Sequence, residues 1–313
     1  MYLFFTDFQI LKKIFGDSLP IATSTPPVGP SGEVDFLTHS QDLSISVFAS
    51  GLTGPRVIAF DSRGRMLVSE TKAGRVVLLE DIDKDGLAET KTVLREDLRS
   101  PHGLAFYTDP KTKKVYLYIA ETHQVSRFEY DTSKGIITSA TGKNIAGLPA
   151  DGRHFARTIG FGPNYRPVPI LGGASTIDTQ VKDKLYISVG SSCDACVEME
   201  TWKRAAILES DSEGNYTAEF AGGLRSAEFF TFHPETKEIW ASETGRDGLG
   251  ANLPPDEINI IKVATSEHQY GARRYGWPFC YGNQVKDSTF QPDKVDRIDI
   301  PTDCGQSEPA TIE

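Results

Sequence analysis

The sequence predicts an all-β protein folded as a β-propeller, on three observations. Short runs of β-branched and aromatic residues alternate with Gly, Asp and Pro, and helical periodicity is almost absent. Four segments share one template, in which a polar residue precedes a strand-ending Phe by four places. These Phe residues lie at positions 60, 106, 161 and 232, a spacing that brackets the roughly 40–50 residues of a propeller blade once loop insertions are allowed.

The first strand of each repeat ends in the shared Phe. The four segments are RVIAF at residues 56–60, HGLAF at 102–106, RTIGF at 157–161 and EFFTF at 228–232. A Gly-Leu or Asp-Leu turn precedes each of them. In a propeller this strand is the innermost one, so a polar residue at its start faces the central channel.

Two further strands follow in each repeat. The second strands are MLVSET at residues 66–71, YIAET at 118–122, LYISVG at 185–190 and IWASET at 239–244. The third strands begin at residues 74, 124, 206 and 257. Three or four antiparallel strands per repeat favour a propeller over a β-sandwich with coincidental internal similarity.

The repeats define the predicted domain organisation. Residues 1–35 form an N-terminal extension with a Pro/Ser-rich linker, and residues 36–313 form a partial β-propeller. Four blades account for about residues 43–262, and the remainder holds at most part of a fifth. We therefore expect about four to five blades in this chain.

Composition excludes several classes of function. The 33 Lys and Arg against 43 Asp and Glu give a net charge of −10, which argues against a nucleic-acid partner. No apolar run approaches the ~20 residues that a membrane helix needs. The N-terminus is not a clean secretory signal, because its apolar patch precedes Lys12 and Lys13 instead of following them.

The four cysteines predict disulfides and not zinc. Cys193 and Cys196 are separated by two residues without a second such pair, so a small-loop disulfide is the simpler interpretation. Cys280 and Cys304 can form a second bridge. This pairing suits an oxidising, extracellular compartment.

Cationic residues recur at or near the starts of the inner strands: Arg56, His102, Arg157 and Arg225. Burying several cations around one axis without partners costs several kcal/mol each. An anionic ligand in the channel would remove that cost. The alternative is that each cation pairs with a neighbouring blade's Glu70, Glu121 or Glu243.

His154 lies in a Gly-containing loop just before the third inner strand, where a general base at the channel mouth would be placed. A solvated surface histidine is the alternative. Asp81, Asp83, Asp85 and Glu89 alternate around a Gly turn, as in a calcium loop. Thr92 stands where an EF-hand has its bidentate Glu, so the choice is between a shorter calcium loop and an acidic turn that binds nothing.

The motifs carry a family resemblance. They are GLTGPR at residues 51–56, PHGL at 101–104, HFARTIGFGP at 154–163, LYISVGSSC at 185–193, GLRS at 223–226, the Gly-rich segment 245–259 and YGWPFCYG at 275–282. In this order they resemble the soluble pyrroloquinoline-quinone-dependent sugar dehydrogenases, most of all the sorbosone dehydrogenase and fungal pyranose dehydrogenase branch.

The resemblance implies a six-bladed propeller that holds pyrroloquinoline quinone (PQQ) over the channel beside a calcium ion. His154 matches the base that takes the sugar hydroxyl proton, and Arg225 matches the cation that stabilises charge on the reduced quinone. The carbonyl oxygens of Gly245 and Arg246 match the calcium ligands, with Asp247 as an addition.

The resemblance also implies partners. Arg56, His102 and Arg157 take positions facing cofactor or substrate, and Trp277 is an available aromatic platform or a structural residue. From the resemblance we expect a sugar substrate, an external electron acceptor such as a cytochrome domain or protein, and secretion. A calcium-dependent lactone hydrolase and a non-catalytic binding propeller are the alternatives.

Three features depart from the family pattern. Ser226 replaces an Asn that usually follows the family's Arg, and about twenty residues, 164–184, stand where the family has a tight hairpin. The last blades, which supply further basic residues in the family, are absent from this chain. We therefore expect an apparently truncated propeller.

Overall fold

The computed structural model describes residues 40, 42–165, 183–198, 202–261, 273–290 and 303–310. Within these ranges the regular structure consists of β-strands and one short 3-10 helix, Cys304–Gln306. The predicted extension and linker at residues 1–35, and positions 166–182 of the predicted insertion, lie outside the described residues. The all-β prediction is confirmed.

The first two blades are antiparallel meanders. Blade 1 contains β1 (Pro55–Phe60), β2 (Met66–Glu70), β3 (Arg75–Glu80) and β4 (Thr90–Arg95). Blade 2 contains β5 (Leu104–Thr108), β6 (Val115–Ala120), β7 (Gln124–Asp131), β8 (Ile136–Ile137) and β9 (Lys143–Gly147). Both β8 and β9 pair with β7.

The next two blades complete the described part of the ring. Blade 3 contains β10 (Ile159–Gly162), β11 (Lys184–Val189), β12 (Ala206–Asp211) and β13 (Thr217–Gly222), and blade 4 contains β14 (Ala227–Phe232), β15 (Ile239–Glu243) and β16 (Glu257–Ile261). A short strand, β17 (Arg273–Arg274), adds in parallel to β13. A small hairpin of β18 (Cys280–Tyr281) and β19 (Val285–Lys286) follows.

The core lies between neighbouring blades. Blades 1 and 2 share a buried cluster that includes Leu67, Leu78 and Ile119, and analogous clusters join blade 2 to blade 3 and blade 3 to blade 4. The second strands β2 and β11 are covered on both faces, which is why they are buried along nearly their whole length. The second strand of blade 4, β15, is buried only at alternate positions. Four successive blades packed face to face confirm the propeller prediction.

Three of the four blades share a hydrogen bond that ties the inner-strand turn to the end of the second strand. The glutamate that ends or follows this second strand accepts a backbone N–H from the residue after the turn leucine. The pairs are Glu70 with Thr53, Glu121 with Arg99, and Glu243 with Arg225. These bonds from a backbone N–H to a carboxyl oxygen fix each turn against its own blade.

Blade 3 lacks both partners of this tie. Pro149 occupies the donor position and has no N–H, and Val189 occupies the glutamate position. The turn of blade 3 is therefore released from the bond that holds the others. The longer loop that carries His154 begins at this point.

Candidate active site

The inner strands of blades 2, 3 and 4 line a cavity of about 540 Å³ along the propeller axis. Its wall includes aromatic rings from each of these strands, among them Phe106, Phe161 and Phe232. The predicted cations lie at the starts of the inner strands, and contacts between blades bring these starts together at one end of the cavity. This end is the channel mouth.

Arg56 links three blades at the mouth. Its Nε–H donates to Nε2 of His102 at 3.2 Å, and its Nη2 lies 3.1 Å from the carboxylate of Glu228. The His102 Nδ1 lies 3.3 Å from the Arg157 carbonyl oxygen, so we assign its proton to Nδ1. Burial, with the charges of Arg56 and Arg157, lowers the pKa of His102 to about 4. His102 is therefore neutral and orients Arg56.

Arg157 is fully buried and serves the His154 loop. Its guanidinium donates to the backbone carbonyl oxygens of Thr122, Pro149, His154 and Ala156 at 2.7–3.2 Å. Burial lowers its pKa to about 10. The structure thus gives Arg157 a supporting position, and its direct contact with a cofactor stays a prediction.

His154 has the hydrogen bonds of a neutral base. Its Nδ1 lies 2.9 Å from both the carbonyl oxygen and the Oγ of Ser191, and that hydroxyl donates to the Cys193 carbonyl oxygen at 2.6 Å. Two oxygens facing Nδ1 place the proton there and leave Nε2 as the acceptor. Burial lowers the pKa of His154, and the positive charges of Arg225 and Arg153 act in the same direction.

Gly190 makes room for His154. A Cβ built on Gly190 would lie 2.5 Å from the His154 Cβ and 3.3 Å from its Cγ. The other three blades carry Thr at this position: Thr71, Thr122 and Thr244. Blade 3 therefore differs from its siblings at the residue whose side chain would occupy the place of the imidazole.

The Arg225 side chain is buried beside this histidine and bound on two sides. Its Nε and Nη2 donate to the carbonyl oxygen and Oδ1 of Asp194 at 2.8 and 2.7 Å, and its Nη1 donates to the Thr244 carbonyl oxygen at 3.0 Å. Within the described residues these bonds use three of its five N–H groups. Its backbone also meets the Ser191 side of the mouth, because the Arg225 carbonyl oxygen accepts the Ser191 N–H at 2.7 Å.

The alternative in which blade glutamates neutralise the mouth cations is not what the structure shows. Glu70 pairs with Arg75 and with a backbone N–H, and Glu121 accepts from a backbone N–H and from Gln124. Glu243 accepts the backbone N–H of Arg225 and not its guanidinium. Only Arg56, among the mouth cations, bonds a glutamate side chain within the described ranges, and that partner is Glu228.

The predicted calcium loop follows β15. The Gly245 N–H donates to Asp256 at 3.0 Å, and a Cβ at Gly245 would lie 2.9 Å from Pro254 Cγ, so this close approach requires glycine. The Arg246 side chain turns to the buried Asp287 at 3.1 Å. Among the described residues, no hydrogen bond is donated to the carbonyl oxygens of Gly245 and Arg246. Both remain available to a hard cation.

Asp247, the additional calcium ligand suggested by sequence, is exposed. Its carboxylate lies 3.6 Å from the Arg153 guanidinium, and its backbone N–H donates to Asp194 at 3.0 Å. Trp277 is packed and only 8% exposed, beside a cavity of about 20 Å³ that Arg225 and Gly245 also line. Calcium ligation by residues 245–247 and a platform role of Trp277 stay predictions.

The acidic loop of blade 1 lies between β3 and β4. One carboxylate oxygen from each of Asp81, Asp83, Asp85 and Glu89 lies within 4.8 Å of the others. These carboxylates accept N–H groups of the same loop, including those of Ile82 and Leu87. The loop geometry is compatible with the predicted second calcium, which stays a prediction.

Both predicted disulfides are confirmed, Cys193 with Cys196 and Cys280 with Cys304. Within the described residues, a helix long and apolar enough to span a bilayer is not found.

A family model described as TrAA12-like matches residues 37–300. The chain belongs to the TrAA12-like family. This TrAA12-like chain is 25% identical to a pyrroloquinoline quinone-dependent sugar dehydrogenase of Hypocrea jecorina, over 75% of this chain and 55% of that protein. The family resemblance inferred from the motifs is thus confirmed.

Solved structures agree on the fold. A carbohydrate-active enzyme of family AA12 from Trichoderma reesei superposes with a TM-score of 0.61 at 22% identity, covering 79% of this chain and 61% of that one. The holo PQQ domain of a Coprinopsis cinerea pyranose dehydrogenase gives 0.57 at 20% identity, covering 79% and 59%. The TrAA12-like chain therefore spans little more than half the length of these relatives.

Sequence reasoning missed three residues of the mouth. Glu228 occupies the shared polar template position, so the repeat itself contained the signal for its meeting with Arg56. Ser191, whose carbonyl oxygen lies 2.9 Å from His154 Nδ1, comes directly after residues 189–190, where blade 3 has Val-Gly in place of the Glu-Thr of the other blades. Asp194 belongs to the loop between β11 and β12, which is longer than the corresponding loops of blades 1 and 2, and no repeat pointed to it.

Proposed function

We propose that this TrAA12-like chain carries the active site of a PQQ- and calcium-dependent dehydrogenase that oxidises a sugar. The observation that carries the proposal is the contact of His154 Nδ1 with two oxygens of Ser191 at 2.9 Å, which assigns the proton to Nδ1. Among the described residues, Nε2 has no hydrogen-bond partner and can accept a proton. His154 stands beside the Arg225 guanidinium at the channel mouth. The similarity of this chain, over three quarters of its own length, to a PQQ-dependent sugar dehydrogenase supports the assignment.

The donor set of the mouth fits the cofactor. PQQ is a planar tri-acid, and the guanidinium groups of Arg56 and Arg225 at the mouth are suited to bind its anionic oxygens. Gly190 keeps the volume beside His154 clear of a side chain. The two carbonyl oxygens at positions 245 and 246 suit calcium, which prefers oxygen ligands.

The chemistry assigned to the chain's own residues is proton transfer and charge stabilisation. When bound, the quinone supplies the acceptor for the hydride that leaves the sugar C–H bond. His154 Nε2 takes the hydroxyl proton as the O–H bond breaks and the C=O bond forms. Arg225 stabilises the negative charge that builds up opposite the base. Two electrons leave the sugar, and an external acceptor removes them to restore the enzyme.

The finer assignments belong to the same proposal. The substrate is a pyranose, an aldose or a sorbosone-like sugar, and the acceptor is a small molecule or a cytochrome domain or protein. An extracellular location is supported by the two disulfides, because such bonds persist in oxidising compartments.

The alternatives fit the mouth less well. A calcium-dependent lactone hydrolase needs acidic and amide side chains around an axial metal. In the described part of the mouth, the carboxylates of Glu228 and Asp194 are instead paired with Arg56 and Arg225. In a non-catalytic binding propeller we would not expect a histidine whose Nδ1 is held by Ser191 and whose space is left open by Gly190.

The test adds PQQ and calcium to the purified chain and follows the quinone absorbance and dye reduction with a panel of aldoses. The proposal expects a spectral change on binding and sugar-dependent dye reduction. His154→Asn removes the Nε2 base and should retain quinone binding while losing turnover. A folded chain that shows neither binding nor dye reduction contradicts the proposal, and a His154→Asn variant with unchanged turnover contradicts the role of the base.

A further inference from the structure

The short segment between Cys193 and Cys196 contacts both Arg225 and the loop that follows β15. Asp194, in this segment, accepts hydrogen bonds from the Nε and Nη2 of Arg225 at 2.8 and 2.7 Å. The same Oδ1 accepts the backbone N–H of Asp247 at 3.0 Å. One carboxylate therefore joins the guanidinium of blade 4 to the loop that presents the candidate calcium carbonyls.

The segment is itself held in place. The Cys193–Cys196 disulfide closes it, and the Cys193 carbonyl oxygen accepts the Ser191 hydroxyl at 2.6 Å. The Ser191 Oγ lies 2.9 Å from Nδ1 of His154. Glu198 binds the Ser192 N–H and hydroxyl at 2.5 and 3.0 Å. His154, Arg225 and the 245–247 loop are thus all hydrogen-bonded, directly or through Ser191, to one segment that the disulfide constrains.

We propose that Asp194 is a positioning residue for quinone binding, and that the Cys193–Cys196 disulfide fixes it in that role. The inference rests on the proposed function and adds a residue that does not touch the cofactor. Asp194 holds the guanidinium plane of Arg225 through two acceptors and holds the 245–247 loop through a third bond. The Arg225 side chain is 4% exposed and is therefore almost fully withdrawn from bulk water as a substitute partner.

An opposite effect is physically conceivable and makes the proposal testable. Asp194 carries a negative charge beside Arg225, so its removal would strengthen the attraction of Arg225 for an anionic ligand if geometry did not matter. Positioning predicts the reverse, because a misaligned guanidinium loses its directed hydrogen bonds. In metal sites, removing a group that orients a ligand without touching the metal typically lowers metal affinity or activity 10–100-fold, and we expect an effect of this size on quinone affinity.

The experiment compares Asp194→Ala with Asp194→Asn. The Asn side chain keeps an Oδ1 acceptor for the Asp247 N–H and for the Arg225 Nη2, whereas Ala loses both of these bonds and keeps only the backbone carbonyl oxygen that accepts the Arg225 Nε–H. Glu213→Ala is the control. It removes a carboxylate that forms an ion pair with Arg127, with an N–O distance of 2.5 Å, and this pair does not belong to the mouth. Two quantities are measured: the dissociation constant of PQQ with calcium, and the hydrogen-exchange rate of the Asp247 amide by NMR without ligand.

We expect Asp194→Ala to weaken quinone binding 10–100-fold and to accelerate exchange at the Asp247 amide, with Asp194→Asn within a few-fold of the unaltered chain and Glu213→Ala unchanged. Replacing both Cys193 and Cys196 by Ser should act in the direction of Asp194→Ala. Tighter or unchanged quinone binding by Asp194→Ala, with an unchanged amide, overturns the inference. If Asp194→Ala does not fold, an Asp194→Asn variant that folds but loses quinone affinity 10-fold or more overturns it instead.

The proposed function and this inference fail separately. An unaltered, folded chain that binds no quinone refutes the proposed function. The positioning role is then decided by the Asp247 amide alone, because its exchange rate is measured without ligand.

Discussion

Gly190→Ala tests whether the position of His154 requires a residue without a side chain at position 190. The added methyl would lie 2.5 Å from the His154 Cβ and 3.3 Å from the Ser226 Oγ. Carbon atoms in contact prefer about 3.5–4.0 Å, so the pair must separate by about 1 Å or more. The His154 Cβ is attached directly to a backbone held at a φ of +56°, and rotation of the side chain cannot relieve the contact.

The expected loss follows from this displacement. Overpacking of a tight site costs about 1–3 kcal/mol of folding free energy. A misplacement of about 1 Å at a catalytic group costs about 10²-fold in rate, or about 2.7 kcal/mol of transition-state stabilisation. We therefore expect kcat/KM for sugar oxidation to fall about 100-fold.

The matched control is Gly147→Ala, at the end of β9. A Cβ at Gly147 meets no atom within 4 Å, so this variant has the same chemical change without the contact. Steady-state kinetics with PQQ and calcium measure kcat/KM, and urea unfolding measures the free energy of unfolding. A Gly190→Ala enzyme with kcat/KM within threefold of Gly147→Ala would refute the reasoning about His154.

Three further predictions concern charge. Arg153→Gln removes a positive charge that lowers the pKa of His154, so that pKa rises and the acid limb of the kcat/KM profile moves to higher pH; an unmoved limb contradicts the assignment of His154 as the titrating base. His102 binds a proton in the unfolded chain below its ordinary pKa of 6.5 but in the folded chain only near 4, so stability is full above pH 6.5 and falls as pH drops through this window. At pH 5 the loss is about 2 kcal/mol, and a His102→Gln variant should lack that part of the pH dependence of its free energy of unfolding; an equal slope in both proteins rules it out. Asp83→Asn should abolish a calcium-dependent rise in stability of about 2.7 kcal/mol at calcium 100-fold above its Kd, whereas Asp109→Asn, in an Asx turn outside the cluster, should keep it; calorimetry that shows no calcium effect on the unaltered chain removes the second calcium.

The repeat made the fold accessible from sequence. All four inner strands end in a Phe, which in blades 2, 3 and 4 lines the cavity, and the second strands of blades 1 to 3 are largely buried, so both carry a pattern that recurs between blades. The meeting of Arg56 and His102 follows from the same repeat, because equivalent positions of neighbouring blades face one axis. Disulfide pairing was accessible because only four cysteines are present.

The direction of individual side chains was not accessible. Arg157 and Arg56 occupy the same template position, yet Arg157 is directed to backbone carbonyls of a loop that exists only in blade 3. Asp194 acts through contacts that close only when blades 3 and 4 are packed. The sequence did contain one signal that the motifs did not use: residues 189–190 are Val-Gly, whereas the other three blades have Glu-Thr at this place.

The central claim is that His154 is the proton acceptor for a sugar whose hydride leaves to a bound quinone. A single-turnover experiment tests it most directly: the chain is loaded with PQQ and calcium, mixed with sugar, and the reduction of the quinone is followed by stopped-flow absorbance. The account predicts rapid reduction by the unaltered chain, and reduction slower by at least 10²-fold in His154→Asn at equal quinone occupancy. Equal reduction rates in the two proteins would contradict it.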